Sequence, residues 1–243
     1  MRDAGNSQAQ TGRVKKALDV IATLCLIAAS LAVARTALRM SRSTEPPTTE
    51  RPKSDRRLPD SPVSIKGAPM RGEPSAPIGL IEYSDFECPF STKFSQQTLP
   101  RLDREYITTG RLILVFKHLP LERIHSHARQ AAHVANCADR QGKFWTIHDQ
   151  FFDHPKELGD AGIRKAAEVV GLDGAALKDC LGDRNDNRVA LDIAEAKQLG
   201  ISGTPTFLLG PVKADGVSVR EKITGAEPFE TFASAIEQIA RSK

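Results

Sequence analysis

Cys88 comes shortly after an apolar run, Ile78 to Tyr83, and is followed by Pro89, Phe90 and Ser91. A cysteine where a strand-like run passes into a helix start meets unpaired backbone N–H groups and the positive end of the helix dipole, which together stabilise a thiolate. Pro89 suits the first helical turn because its missing N–H costs little there. A thiolate attacks disulfide sulfur to give a mixed disulfide, which a second thiol must then resolve. Ser91 stands three residues on, where a resolving thiol could sit; its hydroxyl can point at the sulfur but cannot displace a disulfide. The motif therefore allows exchange through one thiol, or a site from which exchange has been lost. Far downstream, Thr204-Pro205-Thr206 opens another apolar run.

The remaining cysteines sharpen this reading. Cys25 falls in an N-terminal apolar segment, which leaves Cys88, Cys137 and Cys180 for the rest of the chain. In an oxidising compartment, three cysteines imply one bridge and one free thiol. Cys137 and Cys180 both sit on helix-like runs without activating neighbours, the setting of structural cysteines, and Cys88 is left over. His125, His127 and His133 cluster in sequence, but no pair has the spacing of a zinc motif, so neither a metal nor another cofactor is expected. Trp145, with Phe144, Phe151 and Phe152, reads as core of a helical region.

The elements that position these residues follow from periodicity. Residues 78–83 and 112–116 are short apolar runs bounded by turn signals, as central strands are. Between them a helix starts near Cys88, carries Phe94, Leu99, Leu102 and Tyr106 at helical spacing, is interrupted by Pro100 and stops at Gly110. Residues 206–209 and 217–219 flank Ala214-Asp215-Gly216 and read as a hairpin. A last helix follows Pro228, with Phe229, Phe232, Ala233, Ile236 and Ala240 on one face. The stretch of about 122–200 far exceeds the dozen or so residues a crossover needs. It reads as a helical insert with helices at 126–140, 143–152, 161–170, 174–181 and 185–199.

The N-terminus has another character. Residues 20–34 are uncharged and apolar, preceded by Arg13, Lys15 and Lys16; extended to 17–40, with charged ends that snorkel, they reach the ~20 residues of a membrane span. They form either a signal anchor behind a cytoplasmic lead of residues 1–16, or a signal peptide cleaved after Ala32-Val33-Ala34. Both place the remainder outside the cytoplasm of a bacterial cell. Residues 41–61 are rich in Pro, Ser, Thr and charge and read as a disordered linker. The first 61 residues hold 11 of the 34 Lys and Arg but 6 of the 30 Asp and Glu, so residues 62–243 are near neutral. That balance argues against a nucleic-acid partner.

Four motifs recur in a known order: 82–91 (EYSDFECPFS), Phe116-Lys117-His118-Leu119-Pro120-Leu121, Gly142-Lys143-Phe144-Trp145 and 200–207 (GISGTPTF). Together they resemble the DsbA-like, thioredoxin-fold disulfide oxidoreductases of bacterial envelopes, over about residues 62–241. The resemblance implies an α/β thioredoxin-like fold with a helical insert, preceded here by the membrane segment and linker. It also implies a cis bond before Pro205 facing Cys88, an acid beneath the site at Glu82, and a Cys137–Cys180 bridge. Cys88, Ser91 and Glu82 are then the catalytic candidates, and Pro89, Phe90, Thr204 and Pro205 the substrate-binding ones. Partners are protein or peptide thiols and disulfides, with a separate thiol or redox protein completing the cycle. The alternative is a redox-inactive module that binds peptide on the same fold.

Overall fold

A computed structural model describes residues 58–183 and 187–242. The apolar segment 17–40 and nearly all of the linker expected at 41–61 lie outside them. Among the described residues, no helix is long and apolar enough to cross a membrane.

Six strands form one sheet: β1 (Met70–Arg71), β2 (Ile78–Ser84), β3 (Leu112–His118), β4 (Thr206–Lys213), β5 (Gly216–Val217) and β6 (Glu221–Thr224). Their order is β1-β3-β2-β4-β5, with β6 also paired to β4. The central pair β2/β3 is parallel, in register from Ile78 opposite Leu112 to Ser84 opposite His118, and β4 runs antiparallel to β2. Every residue of β2 and β3 is buried, which is why these strands read as unbroken apolar runs. Side chains alternate between two cores: Ile78, Leu80, Leu112 and Leu114 face one, Ile81, Tyr83 and Val115 the other.

The first core is covered by the chain between β2 and β3 and by the last helix. The connection comprises α1 (Pro89–Lys93), a π turn (Phe94–Thr98), α2 (Leu99–Leu102) and a second π turn (Asp103–Ile107). Leu99 N–H reaches back five residues to Phe94 O. The interruption expected at Pro100 thus takes the form of a widened turn, which accommodates a ring that cannot donate a backbone bond. Gly110, at φ 71°, ends the segment in the left-handed region. The last helix, which follows Pro228, buries Phe229, Phe232, Ile236 and Ile239.

Five helices lie between β3 and β4: α3 (Ala128–Asp139), α4 (Phe144–Asp153), α5 (Asp160–Val169), α6 (Gly174–Gly182) and α7 (Arg188–Gln198). The final helix is accordingly α8 (Phe229–Arg241). A third core unites Phe86 and Phe116 with Phe144, Phe151 and Phe152 of α4 and Ile163 of α5. Asp173 caps α6 by accepting from Ala176 N–H at 2.7 Å. The Cys137–Cys180 disulfide joins α3 to α6. Buried Lys117 of β3 pairs with Glu195 of α7 at 2.6 Å, and Tyr83 OH donates to the same carboxylate at 2.5 Å.

The hairpin forms at the expected turn, with Lys213 opposite Gly216, but its strands differ in length from the expectation. Strand β4 extends to Lys213, but β5 holds only two residues, and β6 carries the main pairing back along β4, from Leu209 opposite Glu221 to Thr206 opposite Thr224. Val217, opposite Val212 of β4, exchanges both of its backbone bonds with Val63 at 2.9 Å on its other side. The Ser218 carbonyl then presses on Gly210, where a Cβ would lie 2.0 Å from the oxygen. Strand β1 was not anticipated, being too short to show periodicity.

Candidate active site

Cys88 is the N-cap of α1, in extended conformation (φ −73°, ψ 121°), with Pro89 at the first helical position. Its backbone is held on both sides: Cys88 N–H donates to Asp85 O at 3.1 Å, and Thr92 N–H donates to Cys88 O at 3.0 Å. The sequence makes this turn because Asp85 Oδ1 accepts from Glu87 N–H at 2.8 Å, an Asx-type bond that ends β2. Cys88 Sγ donates to Thr204 O at 3.3 Å, and the Thr204–Pro205 peptide is cis. Thr206, one residue on, opens β4, whose pairing with Tyr83 fixes this loop against the end of β2. Cys88 is 4% exposed, whereas Pro89 is exposed and Phe90 is 59% exposed. The free cysteine of the described residues is Cys88.

Ser91 is fully buried and its hydroxyl has no hydrogen-bond partner, Cys88 Sγ included. The hydroxyl therefore does not hold the sulfur as the sequence allowed. Glu82 lies on β2, six residues before Cys88, two along from Leu80 on the face covered by the β2–β3 connection and α8. It is fully buried, and both carboxyl oxygens are unpartnered. Burial pushes its pKa up to about 7, against the opposing pull of Ser84 and the Arg71 charge. Thr204 Oγ1 is likewise buried and unpartnered.

Sequence reading missed what positions the Cys88 turn. Asp85 Oδ2 accepts from Leu121 N–H at 2.7 Å and pairs with His125 Nδ1 at 2.8 Å. Glu87 accepts from His127 N–H at 2.7 Å and meets His127 Nδ1 at 3.3 Å. Two acids at i, i+2 before the cysteine thus meet two histidines at i, i+2 after β3. That matched spacing was the available signal. Phe86, between the acids, stacks on Phe116 at 5.3 Å and meets Phe151 and Phe152 at 5.1 Å each, anchoring the turn to the insert. Trp145 is half core: its Nε1–H donates to Met70 O at 2.7 Å and Arg71 lies 4.5 Å over its ring.

Comparison with known proteins agrees with this geometry. The family model described as Thioredoxin matches residues 64–237. The Na(+)/H(+) antiporter NhaA 3 of Salinispora tropica is 35% identical over 167 residues, 68% of this chain but 25% of that protein. The chain thus spans about a quarter of the length of the antiporters it matches first. The probable disulfide bond formation protein D of Bacillus cereus is 26% identical over 143 residues, 56% of this chain and 66% of that one. Among solved structures, Pseudomonas aeruginosa DsbA2 superposes with a TM-score of 0.57 at 29% identity, covering 75% of this chain and 98% of that one. The chain belongs to the thioredoxin family, and in structure it resembles the DsbA protein above.

Proposed function

We propose that this protein is an extracytoplasmic thiol-disulfide oxidoreductase acting through Cys88 alone. The observation that carries this reading is the placement of the Cys88 sulfur at a helix start, 3.3 Å from the Thr204 carbonyl, with a serine where a second thiol would stand. Cys88 as thiolate attacks one sulfur of a protein disulfide; the S–S bond breaks, a Cys88–substrate bond forms, and the other substrate sulfur leaves as thiolate and takes a proton from solvent. A thiolate from a small thiol or a partner protein then attacks the mixed disulfide and releases Cys88. If the resolving thiolate belongs to the substrate itself, the outcome is isomerisation with no net redox change. Exposed Phe90, beside Pro89, offers an apolar contact for a substrate chain, and Thr204 offers backbone to pair with it. The antiporter relatives support a membrane-adjacent setting, in keeping with the anchor expected at 17–40.

Acid-quenched cells carrying the wild-type protein should yield Cys88 mixed disulfides with other proteins. Cys88→Ser should abolish them, and Ser91→Cys should shorten their lifetime by supplying an internal resolving thiol. Burial of Cys88 favours the peptide-binding alternative. That reading prevails if no adduct forms on the wild-type protein while unfolded peptides still bind.

A further inference from the structure

Cys88 is the free thiol of the described residues, and position 91, where a second thiol would stand beside it, holds Ser91. A dithiol site stores oxidising equivalents as an internal disulfide. A lone thiol must store them on its own sulfur, as a mixed disulfide or as a sulfenic acid. The surroundings of Cys88 match the second form. Ser91 Oγ and Thr204 Oγ1 are both buried and without a hydrogen-bond partner. A buried hydroxyl left unpaired is destabilising, so two of them around one sulfur call for a group that they meet in another state of the site. The fold sets where they lie. Cys88 is the N-cap of α1, which makes Ser91 the third helical residue, the position whose side chain reaches back toward the cap. Thr204 meets the sulfur through its carbonyl, 3.3 Å from Cys88 Sγ. Cys88 keeps 4% exposure, whereas neither hydroxyl oxygen reaches solvent. A substrate chain therefore cannot touch these hydroxyls, but a single oxygen carried by the sulfur can.

We propose that Cys88 is a sulfenic-acid site: a hydroperoxide oxidises its sulfur, and the Ser91 and Thr204 hydroxyls donate hydrogen bonds to the oxygen that the sulfur gains. This rests on the reading of Cys88 as the reacting thiol and adds the oxidant that a one-cysteine cycle needs. The Cys88 thiolate attacks one oxygen of the hydroperoxide. The O–O bond breaks, an S–O bond forms, and the second oxygen takes a proton and leaves as water or an alcohol. Sulfur loses two electrons and the peroxide gains them. A substrate thiolate then attacks the Cys88 sulfur; the S–O bond breaks, and the oxygen takes up a proton and leaves as water. The product is the mixed disulfide of the cycle above, and a second thiolate releases Cys88 together with a new disulfide. One hydroperoxide and two thiols thus become an alcohol or water, a further water and a disulfide. Serine suits position 91 in this chemistry. A cysteine there would attack the sulfenic acid and close an internal disulfide, whereas a hydroxyl donates to it without reacting. The Thr204 loop, held to the end of β2 by the pairing of β4, also limits the approach of a second peroxide, which would carry the sulfur on to sulfinic acid.

The full chain, with Cys88 as thiol, is treated with equimolar hydrogen peroxide and then, at intervals, with dimedone, and the label is located by peptide mapping. Dimedone should mark Cys88, and Cys88→Ser accounts for any label on Cys25. Ser91→Ala and Thr204→Val each remove one hydroxyl without leaving a new buried group unpaired. Each should shorten the lifetime of the dimedone-reactive form by roughly fivefold or more and raise the yield of sulfinic acid. Ser91→Cys should lose the label to an internal disulfide. Passage of wild-type Cys88 to sulfinic acid with no dimedone-reactive stage, or no reaction at all, would overturn the proposal. Equal lifetimes in the wild type and both hydroxyl variants would overturn it too. Should those variants fail to fold, the wild type decides: a sulfenic acid that outlasts that of the urea-unfolded chain supports the site, and one lost equally fast overturns it. A long-lived sulfenic acid on a protein that exchanges with no protein disulfide would remove the proposed function and leave this site standing, whereas protein adducts without any sulfenic acid would do the reverse.

Discussion

Replacing Glu82 with Gln should stabilise the protein in a way that depends on pH. In the unfolded chain this carboxyl loses its proton around pH 4.5, whereas in the fold burial holds the proton to about pH 7. Between those values the folded state binds more protons than the unfolded one, so stability falls as pH rises. A tenfold difference in proton affinity is worth ~1.4 kcal/mol, which makes the loss across this window about 3 kcal/mol. Below pH 4.5 both states are protonated and nothing is lost; above pH 7 both are ionised and the loss is complete. Glu82→Gln mimics the protonated form at every pH. Urea titrations of both proteins between pH 4 and 8, followed by circular dichroism, should therefore give nearly equal stabilities at the acid end. A gap of about 3 kcal/mol should open by pH 8, or roughly 6–12 °C in Tm for a domain of this size. Other titrating groups, such as Asp192, held at about 6, and His118, held at about 3, are common to both proteins and cancel in the difference. A gap that is constant across the whole range, or that closes with rising pH, would show that the Glu82 carboxyl is not held protonated by burial.

Three further outcomes are expected. Reducing the Cys137–Cys180 bridge, or replacing both cysteines with serine, reopens a loop spanning a separation of 43 residues and should cost about 4 kcal/mol in the chain-entropy account, read from denaturation with and without reductant. Asp85→Ala should leave the Leu121 N–H and the Glu87 N–H without their acceptor, costing about 1–3 kcal/mol and speeding amide exchange at Leu121 well beyond that of Leu114. Phe86→Ala, which empties the meeting point of five aromatic rings, should cost about 3–5 kcal/mol by the same denaturation assay, and Phe86→Leu clearly less.

Much of this was legible in the sequence, for identifiable reasons. The five insert helices fall within three residues of their expected bounds because each is punctuated by Gly, Pro or Asp. Strands β2 and β3 declared themselves as unbroken apolar runs because a parallel pair buried on both faces tolerates nothing else. The hairpin forms at the expected turn, but its second strand ends at Val217, and the pairing of β6 along β4 and of Val63 with Val217 are tertiary contacts that no local pattern reports. Cys88, Pro205 and Glu82 emerged from motifs, but the hold of Asp85 and Glu87 on His125 and His127 did not. Acid–histidine pairs are made by tertiary contact, and each partner alone looks like a solvated loop residue. Ser91 was read from the motif alone, and its burial without a partner was invisible there, since only the packed interior determines whether a hydroxyl finds an acceptor.

The bond from Cys88 to Thr204 spans 116 residues of chain. A polypeptide made from its N-terminus presents Cys88 long before β4 exists to cover it, and Cys137 arrives before its partner Cys180. During that interval the domain carries a bare sulfur and an unclaimed cysteine together, and a bond between them would lock α1 to α3 before the sheet closes. Arrival of β4 ends the hazard, because pairing with β2 seats the Thr204 loop on the sulfur and withdraws it to 4% exposure. The order in which the chain emerges thus makes completion of the sheet, rather than appearance of the cysteine, the event that covers the sulfur.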